Sequence, residues 1–197
     1  MQRIRLFDDQ QVIAWRNVTR RVHRPRKHAG NPVMQAQTPL EKAGNGWWWP
    51  SVLYDEEDRL FKAWYDLIIG RKAYGCYAVS PDGIAWERPD LGLFRVRGSR
   101  RNNVFYRGVI RYPYAICPCV IKRAPGDWHM FYWDALGPDG PRGVIHFTGT
   151  DGIHWTRGPK NPVVQTPVDR TQSGGVEDVL RVSWDAARGR FLLSQRT

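Results

Sequence analysis

The sequence contains few cysteines, no long apolar run and fewer acidic than basic residues. Three cysteines are an odd number, which excludes a framework of paired disulfides as the main source of stability. No apolar stretch approaches the ~20 residues that a membrane-spanning helix needs. The opening residues, MQRIRLFDDQ, also lack the apolar core of a signal peptide. We therefore expect a cytoplasmic protein with no membrane partner, or a secreted or periplasmic one if a leader precedes this sequence.

The scarcity of cysteine also makes a metal site a weak hypothesis. Cys117 and Cys119 lie close together on a predicted strand, Cys76 lies on another, and five histidines are scattered along the chain. Structural zinc sites gather four cysteines or histidines at short, regular spacings, and this pattern has no such spacing. We predict that the cysteines are small buried apolar residues, and that the protein uses no metal and no cofactor.

The clearest bias in composition is an excess of positive charge. Thirty lysines and arginines against 19 aspartates and glutamates give a formal net charge of +11. The basic residues are densest in 16–27 and 95–107, outside the predicted strands, whereas a nucleic-acid surface would interleave them with exposed aromatic rings. We therefore predict a solvated basic surface, or one that attracts an anionic polymer such as an acidic glycan. Nucleic acid is not expected as a partner.

One stretch contains the pattern around which the chain is organised. An apolar run at 48–54, an acidic turn and an alternating run at 60–65 predict two strands joined by a tight hairpin. Residues 73–80 predict a third strand, and residues 84–88, after a Pro-Asp-Gly turn, predict a fourth. Four short antiparallel strands in succession form a meander.

This pattern recurs in a second copy and in the first half of a third. We call the match between the first and second copies the first repeat, and the match between the first and third copies the second repeat. The first repeat matches Pro50 with Pro118, Val52 with Val120, Trp64 with Tyr132, Asp66 with Asp134, and, with one residue inserted, Trp86 with Trp155. The second repeat matches Asn31 with Asn161, Tyr54 with Trp184, and Phe61 with Phe191. Such self-similarity, with four strands in each unit, is typical of propeller blades packed around an axis.

The repeats predict an all-β fold: an incomplete β-propeller with about two and a half four-stranded blades in one domain. Residues 1–30 would form an N-terminal strand segment that closes the ring, and 31–100 would form blade 1 and its connection. Blade 2 would occupy 101–160, and 161–197 would begin blade 3. An open stack of two and a half blades would leave a strand edge unpaired, so we expect a truncated product, a fragment, or a partner chain that supplies the missing blades.

The meander also predicts where a ligand would bind. The start of the innermost strand and the loop between the second and third strands lie at one end of each blade, and the hairpin turns lie at the other. The first end would gather Trp47, Trp48, Trp49, Asp66, Arg71, Asp134, Arg142, Glu177 and Asp178. The repeated Asp-Gly-Ile turns lie at the opposite end. We predict a structural role for them, because Asp bonds the backbone ahead of it and Gly accepts a positive φ.

Three segments resemble the five-bladed propeller glycoside hydrolases, the arabinanase-like and invertase-like group. They are WPSVLYDEEDRLFKAWY, YAVSPDGIAWERPDLGLFRVRGSRRNNVF and TDGIHWTRGPKNPVV, and the resemblance extends from about Leu6 to Arg196. A looser turn of the same kind occurs in sialidase propellers. The resemblance implies three carboxylates at the axis, one from each of the first three blades. Such a set is chemically reasonable, because glycoside cleavage needs one protonated and one ionised carboxyl group.

The chain departs from that pattern at two of the three positions. Trp49 stands where blade 1 would carry an acid, and Cys117 stands near the corresponding position in blade 2. The third acid remains as Glu177 or Asp178, with Glu177 as the expected proton donor. A solvated loop acid is the simpler alternative for Glu177.

The remaining candidates would support catalysis or bind substrate. Asp66 and Asp134, each just after an aromatic pair, would act as supporting carboxylates, with a strand-end cap as the alternative. The tryptophans 47–49 would stack on sugar rings. Arg71 and Arg142 would hold an anionic sugar, or would be solvated loop arginines.

Two functions therefore remain open. The first is a glycoside hydrolase that acts on a furanoside, a galactoside or an acidic glycan. The second is a non-catalytic carbohydrate-binding or orphan propeller fragment, in which the tryptophans hold sugar rings and no bond is cleaved.

Overall fold

A computed structural model of the chain describes residues 16–17, 21, 23–44, 46–111, 118–166 and 180–195, with the backbone alone at 46–49, 110–111, 166 and 195. Residues 1–31 and 32–197 form two compact units. In the first unit, the described residues include a turn in which Asn31 N–H donates to the His28 carbonyl at 3.1 Å. The ring-closing strand expected in 1–30 lies mostly outside the described residues.

Nearly all the regular structure of the second unit is β-strand, so the all-β prediction is confirmed. Its elements are α1 (Pro39–Lys42), β1 (Gly46–Asp55), β2 (Leu60–Ile69), β3 (Lys72–Ser80), β4 (Val104–Arg111), β5 (Cys119–Ala124), β6 (Asp127–Ala135), β7 (Arg142–Gly149), β8 (Thr156–Arg157), β9 (Val164–Thr166), β10 (Leu180–Asp185) and β11 (Arg190–Gln195). The described strands form three antiparallel sheets, none of which closes on itself. Sheet 1 has the order β1-β2-β3-β4, sheet 2 has β5-β6-β7 with both β8 and β9 paired to β7, and sheet 3 is the hairpin β10-β11.

The hairpin of β1 and β2 and the hairpin of β10 and β11 have the same geometry, as the second repeat predicts. The rings of Tyr54 and Phe61 lie 4.9 Å apart at 58°, and those of Trp184 and Phe191 also lie 4.9 Å apart at 58°. Each pair stands directly opposite across its hairpin. Aromatic pairs across antiparallel strands stabilise a hairpin and help to fix its register.

The fourth strand of sheet 1 differs from the sequence prediction. Residues 84–88 make only an isolated bridge between Val79 and Glu87, and β4 completes the sheet instead. The reason is local: the Asp82 carboxylate accepts the N–H groups of Ile84 and Ala85, both at 2.8 Å. These bonds curl the chain away from β3, and the proline that follows at position 89 lacks a donor for the ladder.

Sheet 2 repeats this arrangement with small variations. Strand β8 pairs with β7 at the positions that correspond to the bridge in sheet 1, and β9 then takes the place of β4. Sheet 1 therefore continues to residue 111, beyond the predicted end of blade 1 at residue 100. Strand β9 belongs to sheet 2, although it lies within 161–197, where blade 3 was expected to begin.

The Asp-Gly-Ile turns have the structural role that the sequence predicts. In the second copy, the Asp151 carboxylate accepts the N–H groups of Ile153 and His154 at 2.8 Å, as Asp82 does in the first copy. Gly83 and Gly152 have φ values of 74° and 79°, a conformation that favours glycine.

Consecutive sheets contact each other through the same pair of repeat positions. Val120 N–H, at the start of sheet 2, donates to Ser51 Oγ of sheet 1 at 3.1 Å. One sheet further on, Val182 N–H donates to Cys119 Sγ at 3.2 Å. Ser51 and Cys119 are equivalent positions of the first repeat, so the contact between sheets 1 and 2 recurs between sheets 2 and 3.

Large buried rings fill the space between the sheets. The ring centroids of Trp64 in sheet 1 and Trp128 in sheet 2 are 5.7 Å apart, and those of Phe131 in sheet 2 and Phe191 in sheet 3 are 5.1 Å apart. Cys119 is buried in the core between sheets 2 and 3, and Cys76 is buried in a separate core formed by sheet 1 and its loops; both are free thiols, as predicted. Burial raises the pKa of both thiols. Cys117 lies outside the described residues.

Candidate functional site

Two buried carboxylates occupy equivalent places in sheets 1 and 2. Asp66 lies near the end of β2 and Asp134 near the end of β6, and both are 0% exposed. Directly across from each carboxylate, on the next strand, stands a glycine: Gly75 opposite Asp66 and Gly143 opposite Asp134. The two glycines have the same offset in sequence as the two aspartates. The repeated unit therefore includes an aspartate-glycine pair.

The glycine in sheet 1 makes room for a partner of Asp66. Tyr132, on β6 of sheet 2, donates its phenol O–H to Asp66 Oδ1 at 2.9 Å. A Cβ at position 75 would lie 2.6 Å from Tyr132 Oη and 2.8 Å from Phe105 Cζ. Only glycine at this position therefore lets the phenol lie against the strand and reach the buried carboxylate.

Asp134 joins sheet 2 to the last strand of sheet 1. It accepts the phenol O–H of Tyr106 at 2.7 Å and the backbone N–H of Val109 at 3.0 Å, both from β4. The Tyr106 ring stacks on Tyr132 at 5.0 Å and 27°. The two aspartates are thus linked through a stacked pair of tyrosines that crosses the boundary between the sheets.

The electrostatics keep both phenols protonated. Burial raises the pKa of Tyr132 and of Tyr106, and the negative charges of Asp66 and Asp134 raise them further. Both tyrosines therefore act as hydrogen-bond donors throughout the physiological pH range. A donor that holds its proton suits a buried carboxylate, whose lone pairs must be satisfied within the protein.

This geometry limits the chemistry that the two aspartates can perform directly. A glycosidic oxygen or anomeric carbon must reach a catalytic carboxyl group, and these two side chains are fully buried. Placed as they are, Asp66 and Asp134 fix the sheets relative to each other and orient their neighbours. Their position agrees with a supporting role or with the strand-end cap.

The other predicted site residues fall at the same end of the sheets where the structure describes them. The backbone of Trp48 pairs with Asp66, and that of Trp47 pairs with Leu67, ahead of an irregularity between Trp48 and Ser51. The register of β1 thus brings residues 47–49 level with the buried carboxylate.

The two predicted arginines also lie at this end of the sheets. Arg71 is exposed in the turn between β2 and β3, next to Gly70 with φ 63°. Arg142 is partly buried as the first residue of β7, opposite Ala135. Glu177 and Asp178 lie outside the described residues.

Sequence reasoning missed the glycines and tyrosines that complete this site. Gly75 and Gly143 carry a detectable signal, because they share the sequence offset of Asp66 and Asp134. Tyr106 carries no such signal, because it precedes the matched positions of the second copy and its partner, Asp134, lies on the next sheet.

Replacing Gly75 with alanine tests the role of this close approach. The new methyl group would displace Tyr132 and Phe105, so we expect a loss of about 1–3 kcal/mol in the free energy of unfolding, as for other overpacked cores. Chemical denaturation measures it. Gly158→Ala is the matched control, because a Cβ there meets its nearest neighbour at an ordinary 3.5 Å. Equal stability of the two variants would contradict this account of the site.

A second cluster of titratable groups lies where sheet 2 meets sheet 3. His129 Nδ1 lies 2.9 Å from His146 Nε2, and His129 Nε2 lies 2.9 Å from Asp127 Oδ1. The two imidazoles stack at 5.2 Å, and Phe191 of sheet 3 packs 4.8 Å from His129. Burial lowers the pKa of both histidines. The charge of His129 lowers that of His146 further, and Asp127 partly offsets the effect on His129.

The histidine pair makes stability depend on pH. Because both pKa values are lowered from 6.5 by folding, the unfolded chain binds protons more readily than the folded one. The free energy of unfolding should therefore be highest above pH 6.5 and should fall as the pH drops below that value. Urea unfolding between about pH 5 and about pH 8 measures this. His146→Gln should flatten the dependence and exposed His154→Gln should not; a slope unchanged in His146→Gln would contradict the assignment.

The described residues show no group of three or more His, Cys, Asp or Glu side chains placed to hold a metal ion. Nor does any helix in the described part of the chain have the length and apolar character to cross a membrane. A comparison with protein families finds no family that matches this chain, and a comparison with curated proteins finds no significant match.

Proposed function

We propose that this chain is part of a glycoside hydrolase-like β-propeller that binds a carbohydrate at the end of its blades where residues 47–49 lie. The observation that carries the proposal is the recurring contact between sheets, Ser51 with Val120 and then Cys119 with Val182. A contact repeated from sheet to sheet is what blades around a common axis require. In this interpretation sheets 1 and 2 are blades, and sheet 3 begins a third.

The order of the first strands supports the same interpretation. Strand β1 contacts β5, and β5 contacts β10, so the leading strands of the three sheets follow one another as neighbours. In a propeller these are the innermost strands, and a ligand pocket forms where they converge. The tryptophans at 47–49 occupy the leading strand of the first sheet and would offer apolar ring faces to a sugar.

The charged residues at this end favour an anionic or neutral glycan. Arg71 and Arg142 lie at corresponding ends of sheets 1 and 2, and the whole chain carries a net charge of +11. Arginine binds carboxylates through paired N–H donors, so an acidic glycan such as polygalacturonate is one natural ligand. Furanosides and galactosides would depend more on the tryptophans.

Hydrolysis is the second candidate function. It would require Glu177 or Asp178 as the acid, with Asp66 and Asp134 in support. The burial of both aspartates and their bonds to Tyr132 and Tyr106 favour binding over cleavage for the described residues. Trp49 and Cys117 at two of the three acid positions implied by the resemblance favour binding as well.

A panel of polysaccharides distinguishes the two functions. We expect saturable binding, by calorimetry, to at least one of arabinan, fructan, galactan and polygalacturonate. Release of reducing sugar from the bound polymer would establish hydrolysis, and Glu177→Gln should abolish it while leaving binding in place. Binding without release favours the non-catalytic function. Absence of binding to every polymer would contradict the proposal.

A further inference from the structure

A cavity of about 600 Å³ lies between the outer strands of sheets 1 and 2. Its size is within the range of small-molecule sites, and aromatic rings dominate its walls. Sheet 1 and its connecting loop contribute Phe94, Phe105 and Tyr106, and sheet 2 contributes Phe147 and Trp155. These residues are separate from the tryptophans and arginines of the proposed carbohydrate site.

The walls are held in place by contacts with one another and with residues behind them. Tyr106 donates its phenol O–H to Asp134 at 2.7 Å, and its ring meets Phe147 edge-on at 5.3 Å. Phe105 is 3% exposed and packs against the inter-sheet core. A site with walls fixed in advance loses little freedom when a ligand binds.

Trp155 differs from its repeat counterpart, Trp86, in the hydrogen bonding of its indole N–H. In the first copy, the Trp86 indole N–H donates to the carbonyl of its own turn, at Gly83, at 3.1 Å. In the second copy the equivalent carbonyl, at Gly152, instead accepts the N–H of Trp64 at 2.6 Å. The buried indole N–H of Trp155 is left without a partner in the described structure. Because this nitrogen is itself buried, the Trp155 side chain contributes to the cavity as an apolar aromatic wall.

The charge of the cavity defines the sign of its ligand. Arg157 lines the cavity with its guanidinium carbon 6.0 Å from the Phe147 ring centroid, and it has no carboxylate partner among the described residues. None of the described residues that line the cavity is an aspartate or a glutamate. His154 also lines it, but its Nδ1 is engaged by Asp151 at 2.6 Å. Among the described walls, Arg157 contacts the phenol of Tyr106 and pairs with no carboxylate, which favours an anionic ligand.

We propose that this cavity binds a small organic acid in which a flat-faced six-membered ring carries a carboxylate. The ring lies against the aromatic walls, since ring faces in such contact add favourable packing. The carboxylate pairs with the guanidinium of Arg157 in a charge-assisted hydrogen bond. An aromatic acid and a uronic acid share this chemistry, and the experiment separates them.

Calorimetric titration at low ionic strength tests the proposal with four probes: benzoate, galacturonate and their neutral counterparts benzyl alcohol and galactose. We expect at least one acid to bind saturably and roughly tenfold more tightly than its neutral counterpart. Binding of benzoate alone identifies an aromatic acid as the ligand class, and binding of galacturonate alone identifies a uronic acid. If neither acid binds, or if each neutral counterpart binds as well as its acid, the proposal is overturned.

Variants confirm the location. Arg157 is exposed, so Arg157→Gln should fold normally and should weaken binding of the acid roughly tenfold while leaving any neutral binding unchanged. Trp155→Ala removes part of the aromatic wall and should also weaken binding of the acid. Arg59→Gln, at an exposed position in the turn between β1 and β2, should leave acid binding unchanged. Equal binding by Arg157→Gln and the unaltered chain would refute the assignment even if the carbohydrate proposal holds.

Discussion

Replacing Trp64 with alanine is expected to lower the free energy of unfolding by about 3–5 kcal/mol, the usual cost of removing a large buried aromatic side chain. Trp64 is 0% exposed, and its ring packs between Tyr77 at 5.5 Å and Trp128 of the next sheet at 5.7 Å. Its indole N–H also donates to the Gly152 carbonyl at 2.6 Å. Since domains of this size are stable by only about 5–15 kcal/mol, this one change should remove a large part of the stability.

Two further variants separate packing from hydrogen bonding at Trp64. Trp64→Phe keeps a ring in the interface but removes the bond to Gly152, so it should cost clearly less than the alanine variant. Trp184→Ala removes a tryptophan that is only partly buried, in the hairpin of β10 and β11. It should also lower the free energy of unfolding by less than Trp64→Ala does. Urea denaturation of the three variants measures the differences. A Trp64→Ala variant as stable as Trp184→Ala would show that Trp64 does not join the two sheets.

The second large effect is expected at Asp55, where one carboxylate binds lysines from two sheets. Asp55 is 2% exposed and lies 2.6 Å from the amino group of Lys62, which is itself 5% exposed. Lys122 of sheet 2 pairs with the other oxygen of Asp55. The two amino groups lie 5.0 and 5.1 Å from the ring centroid of Trp128, on which both lysines pack.

Removing this carboxylate should destabilise the chain by about 3–5 kcal/mol, because it leaves buried positive charge with too little compensation. Asp55→Ala tests this by chemical denaturation at neutral pH. Asp58→Ala is the matched control: it also contacts Lys62, at 2.5 Å, but its side chain is 56% exposed. A surface pair of this kind contributes about 0–1 kcal/mol. Equal losses in the free energy of unfolding of the two variants would contradict the proposal that Asp55 compensates the buried charge of both lysines.

Lowering the pH should reproduce part of the loss in the free energy of unfolding that we expect for Asp55→Ala. Burial alone would raise the pKa of this carboxyl group, but bonds from Lys122 and Lys62 outweigh burial and hold the pKa below its ordinary 3.8. The stability that Asp55 contributes is therefore present above pH 3.8 and is lost as the pH falls below that value. The histidine pair acts at higher pH, so the two contributions can be separated along one pH series.

The parts of the fold that depend on local sequence were predictable. Alternating residues on either side of an acidic turn identified the hairpin of β1 and β2, and the first and second repeats identified its relatives. The matching ring geometry of Tyr54 with Phe61 and Trp184 with Phe191 confirms that alignment. Turn residues and alternation act over a few positions, so one sequence carries enough information about them.

The parts that depend on distant pairing were not predictable in this way. Residues 84–88 have the composition of a strand, but the N–H groups of Ile84 and Ala85 donate to the Asp82 carboxylate and do not pair with β3. Strand β4 then pairs with β3 across the long connection that follows. The tyrosine partners of the two buried aspartates lie on other sheets, and no local pattern in the sequence records those contacts.

The contrast between Trp86 and Trp155 is the sharpest example. The two turns look alike in sequence, and both place a tryptophan at the same distance after the glycine. Which turn keeps its own hydrogen bond depends on whether a third tryptophan, Trp64, approaches from the previous sheet. Repeated units acquire different functions through such neighbours, and these are visible only after folding.

The most direct test of the carbohydrate proposal is a calorimetric titration of the chain and its Trp48→Ala variant with the polysaccharide that binds best. The account predicts saturable binding that weakens at least roughly tenfold in Trp48→Ala. Tyr54→Ala, which removes an exposed ring at the other end of the same strand, should bind as the unaltered chain does. Equal binding by all three proteins would contradict the proposal that the sugar lies against the tryptophans of β1.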